Sequence, residues 1–314
     1  MTMIDPFRGI LPAMQLPFNH DMSIDEDEMR RFSSSLASVD GIGALVTNGH
    51  TGEVFALSME ERAQATRCAV EGADGKVPVV SAVCCEGINE AVEHAGAMKD
   101  AGATGIMVMP PHYWLRFGME PEHVIDHFTA IGKAVDMNLV VHVYPAWTKA
   151  SYTEEVLHEL AKLPWVTTFK TGTREMSKYE RDISAIRSGD KNATVLTCHD
   201  EYLLTTMVQG VDGALVGFAS FIPEMIVALY RAVCDGDLNK AREIQGKIDI
   251  LKEVVYGAGE PTGDAHARMK TAMVLAGRFK STTVRPPTRV PSGQSFERIK
   301  AAVNKVGMLQ NKAA

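Results

Sequence analysis

The feature that most constrains the fold is a rhythm. Eight short apolar runs, rich in β-branched residues, recur along the chain, most of them followed by an amphipathic helical segment. They are ILPAMQLPF (10–18), IGALVTNG (42–49), VPVVSAV (77–83), TGIMVMP (104–110), NLVVHVYP (138–145), VTTFKTG (166–172), ATVLTCHD (193–200) and GALVGF (213–218). Their spacing, roughly 20 to 35 residues, is that of βα units. Near-continuous apolarity means that both faces of each strand are covered, as in a parallel sheet wrapped by helices. Eight such units predict a (β/α)8 TIM barrel, an α/β fold; an open doubly wound sheet is the alternative use of the same pattern.

Helix-start signals sit between the runs. Ser23 with Glu26 and Ser58 with Glu61 fit the S-x-x-E capping box, in which each side chain satisfies an orphan amide. Gly102 reads as the residue that ends the helix of NEAVEHAGAMKDAGA. After the eighth run the alternation stops: residues 224–258, 264–276 and 293–306 read as helical with no strand between them. The first part supplies the eighth barrel helix. The expected division is a barrel over residues 1–235 and a helical extension over 236–314 packed on it; single barrels commonly run beyond 250 residues.

Composition narrows the partners. A formal net charge of -7 argues against a nucleic-acid surface, which needs clustered Lys and Arg. No stretch is apolar for the roughly 18 residues a membrane span needs, and MTMIDPFRGILPAMQLPF lacks the pattern of a secretory signal. The chain reads as soluble and cytoplasmic. Its five cysteines, an odd number without C-x-x-C spacing, read as reduced, packed thiols.

In a barrel the chemistry lies at the C-terminal ends of the strands, which singles out NGHTGE (48–53), PPHYW (110–114), HVYP (142–145), Lys170, CHD (198–200) and Gly217. Lys170 carries the strongest signal. Burial in a sheet disfavours its ammonium form, and the neutral amine attacks ketones to form a Schiff base that acidifies the neighbouring carbon. The plainer alternative is a lysine that reaches the barrel rim or pairs with Glu175 or Asp200. In NGHTGE, two glycines flank Thr51, so that backbone amides and a hydroxyl can converge on an anion such as a carboxylate; an ordinary βα turn is the competing reading. His142 and Tyr144, two apart on one strand, point the same way and can shuttle protons, as can Tyr113. His50, His112, His142, His199 and Asp200 lack a metal-ligand spacing, so neither a metal nor another cofactor is expected.

Together these segments resemble the dihydrodipicolinate synthase and N-acetylneuraminate lyase family of pyruvate-type class I aldolases. GHTGEVFALSMEER (49–62) resembles its G-T-T-G-E…L-S-x-E-E-R signature, MPPHYW its P-P-Y-Y segment, HVYPAWT its Y-N-x-P-x-R-T segment and TFKTGT its I-K-x-(A/S/T) segment; LTCHDEYLL falls where the family has S-G-D-D. The resemblance covers residues 7 to 300. It implies that Lys170 forms the imine and that the amides of His50 and Thr51, with the Thr51 hydroxyl, hold a 2-oxo acid carboxylate. It also implies that Tyr113 reaches across a tight interface of a homodimer or homotetramer.

The departures from the family pattern are informative. His50 stands where the family has the threonine of its proton relay, and His142 where it has a tyrosine, so a hydroxyl relay becomes partly an imidazole relay that can titrate between about pH 5 and 8. Trp147 replaces the arginine that grips a second carboxylate, which removes a bidentate clamp and supplies a flat apolar surface. The expectation is a Schiff-base lyase acting on a 2-oxo acid such as pyruvate, and on an aldehyde, other than the lysine-pathway synthase. It is either an aldolase or a dehydratase of a deoxy-2-oxo sugar acid. A 2-oxo-acid-binding or regulatory barrel without turnover is the reading from another class, and a metal-dependent barrel lyase is a third.

Overall fold

The computed structural model describes residues 7–144, 152–257 and 262–310. In chain order the main elements are β1 (Gly9–Pro12), α1 (Glu26–Ala37), β2 (Leu45–Thr47), α2 (Met59–Ala73), β3 (Val79–Val83), α3 (Ile88–Asp100), β4 (Gly105–Val108), α4 (His112–Phe117), α5 (Pro121–Val135) and β5 (Asn138–Val143). They continue with α6 (Glu154–Ala161), β6 (Val166–Thr171), α7 (Met176–Gly189), β7 (Thr194–Thr197), α8 (Leu203–Met207), β8 (Gly213–Val216), α9 (Phe218–Phe221), α10 (Pro223–Cys234), α11 (Leu238–Val255), α12 (Ala265–Leu275) and α13 (Gly293–Lys305). The strands are parallel and neighbour one another in the order β1-β8-β7-β6-β5-β4-β3-β2. Bridges Ile10–Ile42 and Ala13–Val46 join β1 to β2 and complete the ring. This is the (β/α)8 TIM barrel with a C-terminal helical extension that the sequence predicts.

Two apolar layers hold it. Leu11, Val46, Val80, Met107, Val140, Leu196 and Leu215 fill the barrel interior, while the outward residues of the strands pack beneath the helices. Full burial of each such side chain is worth about 1.5–3 kcal/mol, so the interior layer holds strand positions firmly. The positions that matter for function are set where β5 meets β6. Leu139 pairs with Val166 but Val140 pairs with Thr168, a one-residue shift that leaves Thr167 as the extra residue. Beyond the shift His142 stands opposite Lys170. An unshifted register would have faced His142 with Phe169, whose side chain belongs to the layer under the helices. Side chains alternate along a strand, so Thr168 and Lys170 share the inward face with Val140 and His142. A lysine in an apolar run is thereby the last inward residue of β6, at the barrel mouth.

Helix starts follow the sequence with one exception. Ser58 and Glu61 form the expected capping box of α2. Gly102 follows α3 with φ +96°, a conformation that suits glycine. For α1, however, Asp25 rather than Ser23 is the cap, accepting from the Glu28 amide, and Ser23 instead bonds Asp21. A carboxylate next to the first turn outcompetes a hydroxyl two residues upstream because it also faces the positive end of the helix dipole. The eighth barrel helix, α10, ends at Cys234: Gly236, at φ +73°, turns the chain, and Asp237 caps α11 by accepting from the Lys240 amide.

Candidate active site

A cavity of about 530 Å³ opens at the C-terminal end of the strands. Lys170, His142, His50, Thr51, Tyr144 and Gly217, six residues singled out from the sequence, all line it. Lys170 is partly open to the cavity, and among the described residues it forms no ion pair. Burial lowers its pKa; Cys198 and Asp200, which favour the charged form, oppose that shift without reversing it. The amine is therefore easier to deprotonate than a surface lysine. A second lysine, Lys270, whose pKa burial also lowers, differs in its exposure and its partners. It is fully buried and bonded to Glu53 Oε1 at 2.6 Å and to the carbonyls of Leu16 and Thr283, each at 2.9 Å.

The NGHTGE segment forms a one-turn 3-10 helix, His50–Gly52, flanked by left-handed Asn48 (φ +57°) and Glu53 (φ +59°). The Asn48 amide anchors it from below, donating to the Arg62 carbonyl and to the hydroxyls of Thr66 and Ser81. From above, the Glu53 carboxylate accepts from Lys270 and from the Arg285 amide at 2.9 Å. As the first amides of a helical turn, those of His50 and Thr51 lack an intrahelical acceptor. Gly217 faces this turn: a Cβ there would lie 3.2 Å from Thr51 Oγ1, 3.1 Å from Met269 Cε and 2.9 Å from Tyr256 Oη. Its amide donates to Asp200 Oδ2, so Gly217 shapes the floor of the cavity while its backbone donor serves the protein.

Three aromatic side chains stand over this floor. Tyr144 Oη and His50 Nε2 are 3.5 Å apart, and the His50 and His142 ring centroids are 5.9 Å apart. Burial holds both imidazoles neutral, with the Lys170 charge as the second cause; His50 falls to about 3 and His142 well below its usual value. This corrects the expectation that the imidazole pair titrates between pH 5 and 8: both histidines are neutral acceptors or donors throughout that range. His142 Nδ1 is buried without a partner among the described residues.

Asp200, at the end of the seventh run, also lines the cavity, and further lining residues escaped the sequence reading. Asp200 accepts from the amides of Gly217 and Phe218 and from Tyr256 Oη at 2.8 Å, and burial raises its pKa to about 7. Arg174, four residues after Lys170, pairs with Glu201 at 2.5 Å. Tyr256, His266 and Arg285 come from the extension, which forms one wall of the cavity. The signals for Arg174 and Glu201 were legible beside Lys170 and CHD; for the extension residues none was local.

Tyr113 is not brought to Lys170 within this chain. It sits on α4, 47% exposed, and is not among the lining residues. Trp147 lies outside the described residues. His112 contacts Glu86 at 3.0 Å and Cys84 Sγ at 3.6 Å on the rim, and His199 is buried with Nε2 3.0 Å from the Gly172 carbonyl. Among the described residues no group of three or more His, Cys, Asp or Glu is placed to hold a metal ion.

A (β/α)8 barrel with a lysine at its mouth that has no ion-pair partner among the described residues, beside a turn whose first amides lack an intrahelical acceptor, is suited to imine chemistry on a carbonyl acid. The chain belongs to the Dihydrodipicolinate synthetase family, which matches residues 6–306. A 4-hydroxy-tetrahydrodipicolinate synthase of Methanospirillum hungatei is 29% identical over 95% of this chain and 99% of its own. The probable 2-dehydro-3-deoxy-D-pentonate aldolase YjhH of Escherichia coli K12 is 27% identical over 96% and 98%. The E. coli prophage protein YagE, solved in complex with pyruvate, superposes with a TM-score of 0.86 at 25% identity, covering 96% of this chain and 99% of that one. Relatives named as synthase and as aldolase both occur, so similarity does not separate the two activities.

Proposed function

We propose that the protein is a Schiff-base lyase in which Lys170 attacks the carbonyl of a 2-oxo acid, pyruvate being the smallest such substrate. The observation that carries the reading is the state of Lys170: inward-facing, open to the cavity, without an ion-pair partner among the described residues, and held towards its neutral form. The amine adds to C2, water leaves, and the protonated imine draws electrons from C3. The turn His50–Gly52 receives the substrate carboxylate on the amides of His50 and Thr51 and the Thr51 hydroxyl. His142, directly across from Lys170 in the strand register, takes the C3 proton, with His50 and Tyr144 adjoining it. The resulting enamine attacks an aldehyde, or in reverse is left behind when the C3–C4 bond breaks; loss of a C4 hydroxyl as water uses the same intermediate.

The cavity volume suits a substrate larger than pyruvate alone. Trp147, by its place in the sequence, argues for a partner lacking a second carboxylate and so against the lysine-pathway synthase. The exposed Tyr113, Phe117 and Phe55 around His112 support a homodimer or homotetramer in which Tyr113 approaches a neighbouring site. Five free cysteines fit a reducing, cytoplasmic setting.

The test is borohydride inactivation in the presence of pyruvate, followed by a screen of 4-hydroxy-2-oxo acids and 3-deoxy-2-oxo sugar acids scored for pyruvate release or water loss. Pyruvate-dependent inactivation with turnover supports the lyase. Binding without inactivation would leave a 2-oxo-acid-binding barrel instead.

A further inference from the structure

The cavity holds a third imidazole, which the scheme above does not use. His266 lies in the first turn of α12, on the wall supplied by the extension. Its position is fixed from behind. Its carbonyl accepts from Gln15 Nε2 at 3.1 Å, and Gln15, fully buried beyond the end of β1, is held in turn by its backbone N–H, which donates to Ser220 Oγ at 3.0 Å. Its Nδ1 is buried and has no partner among the described residues.

The electrostatic surroundings separate the three rings. His50 and His142 both feel the charge of Lys170, whereas His266 feels Lys270 and Arg268, and its nearest link to the reacting end is His50. Burial holds His266 neutral, at about 4. The cavity therefore holds His50 and His142 on the barrel side, His142 directly across from Lys170, and His266 on the wall supplied by α12. Lyase chemistry on a 4-hydroxy-2-oxo acid needs proton transfer at two places, C3 and the oxygen on C4.

We propose that His266 is the proton-transfer residue for the C4 oxygen of a 4-hydroxy-2-oxo acid. This rests on the Schiff-base reading of Lys170. In the cleavage direction neutral His266 accepts the C4 hydroxyl proton, the C3–C4 bond breaks with its electron pair moving into the imine, and an aldehyde leaves. Protonated His266 returns its proton to solvent, water supplies one to C3 of the enamine through the His142–His50 pair, water hydrolyses the imine, and pyruvate and the free amine return.

The experiment compares wild type with His266→Gln in two reactions. One is exchange of the pyruvate C3 protons in heavy water, followed by NMR, which needs only Lys170 and the His142–His50 pair. The other is pyruvate release from 4-hydroxy-2-oxopentanoate and 4-hydroxy-2-oxobutanoate. The expected result is a fall of about 100-fold in kcat for release, with C3 exchange within about 3-fold of wild type. Equal falls in both reactions would mark a structural residue and overturn the proposal, as would release at the wild-type rate. A wild type that exchanges C3 protons yet releases pyruvate from neither acid overturns it too. A wild type that neither exchanges nor is trapped by borohydride removes the Schiff-base reading first, and this proposal with it.

Discussion

Lys270→Met tests whether the extension holds the carboxylate-binding turn in place. Lys270 is fully buried, its ammonium shared between Glu53 Oε1, Leu16 O and Thr283 O, with the Phe18 ring 4.7 Å away. Methionine fills a similar volume but leaves the Glu53 carboxylate with the Arg285 amide alone and strands two carbonyls. Breaking one side of a buried pair costs about 3–5 kcal/mol. For a chain of this size that corresponds to a fall in Tm on the order of 10 °C by calorimetry. Glu53 also ends the His50–Gly52 turn, so the concentration of pyruvate needed for half-maximal borohydride trapping should rise. In the double variant Glu53→Gln with Lys270→Met no bare charge remains, so its loss should be smaller than the sum of the two single losses. A Lys270→Met protein within about 1 kcal/mol of wild type, or strictly additive single effects, would refute the coupling.

Three further outcomes follow from the site and the core. Gly217→Ala places a methyl 2.9 Å from Tyr256 Oη and 3.2 Å from Thr51 Oγ1; titration of trapping should show weaker pyruvate binding, at a stability cost of about 1–3 kcal/mol, and unchanged binding would mean the floor is looser than described. His142→Phe should still be trapped by borohydride with pyruvate but lose C3 proton exchange by about 100-fold or more; retained exchange would move the base to His50 or Tyr144. Acid should destabilise the fold, because burial holds His94, His127 and His199 at about 4. Their unfolded-state pKa is about 6.5, so the unfolded chain binds protons that the native state refuses, and the stability present above about pH 6.5 is lost as pH falls towards 4. At pH 5 each contributes a loss of about 2 kcal/mol, together about 6, a large part of a typical total of about 5–15. Asp200, raised to about 7, acts in the opposite sense and offsets part of the loss. A urea midpoint unchanged between pH 7.5 and 5 would contradict this.

The strand residues of the site were legible because a strand has a period of two and a barrel has one active end. Lys170 and His142 could be assigned an inward face and a C-terminal position from their own runs. The His50–Gly52 turn was legible from its glycines and its place after the second run. The one-residue shift at Thr167 was not, although it decides that His142 rather than Val143 meets Lys170, because register depends on the partner strand. The titration of the imidazole pair was misjudged for a related reason. Ring burial and the nearby Lys170 charge are properties of the assembled mouth, not of the segment. Tyr256, His266, Lys270 and Arg285 were missed altogether. They reach the site only because α12 and the segment after it fold back over the barrel, a contact spanning more than 200 residues between Lys270 and Glu53 that no local pattern encodes. Ser23 shows the reverse error: a local motif was present, but a better cap lay two residues further on.

The central claim is that Lys170, and not the fully buried Lys270, is the nucleophile. Wild-type protein is incubated with pyruvate at neutral pH, reduced with borohydride, digested, and its peptides mapped by mass spectrometry. The account predicts a reduced pyruvyl adduct on the peptide carrying Lys170, none on the peptide carrying Lys270, and no adduct at either position in Lys170→Met. An adduct on Lys270, or a Lys170 peptide left unmodified by pyruvate and by longer 2-oxo acids, would contradict it.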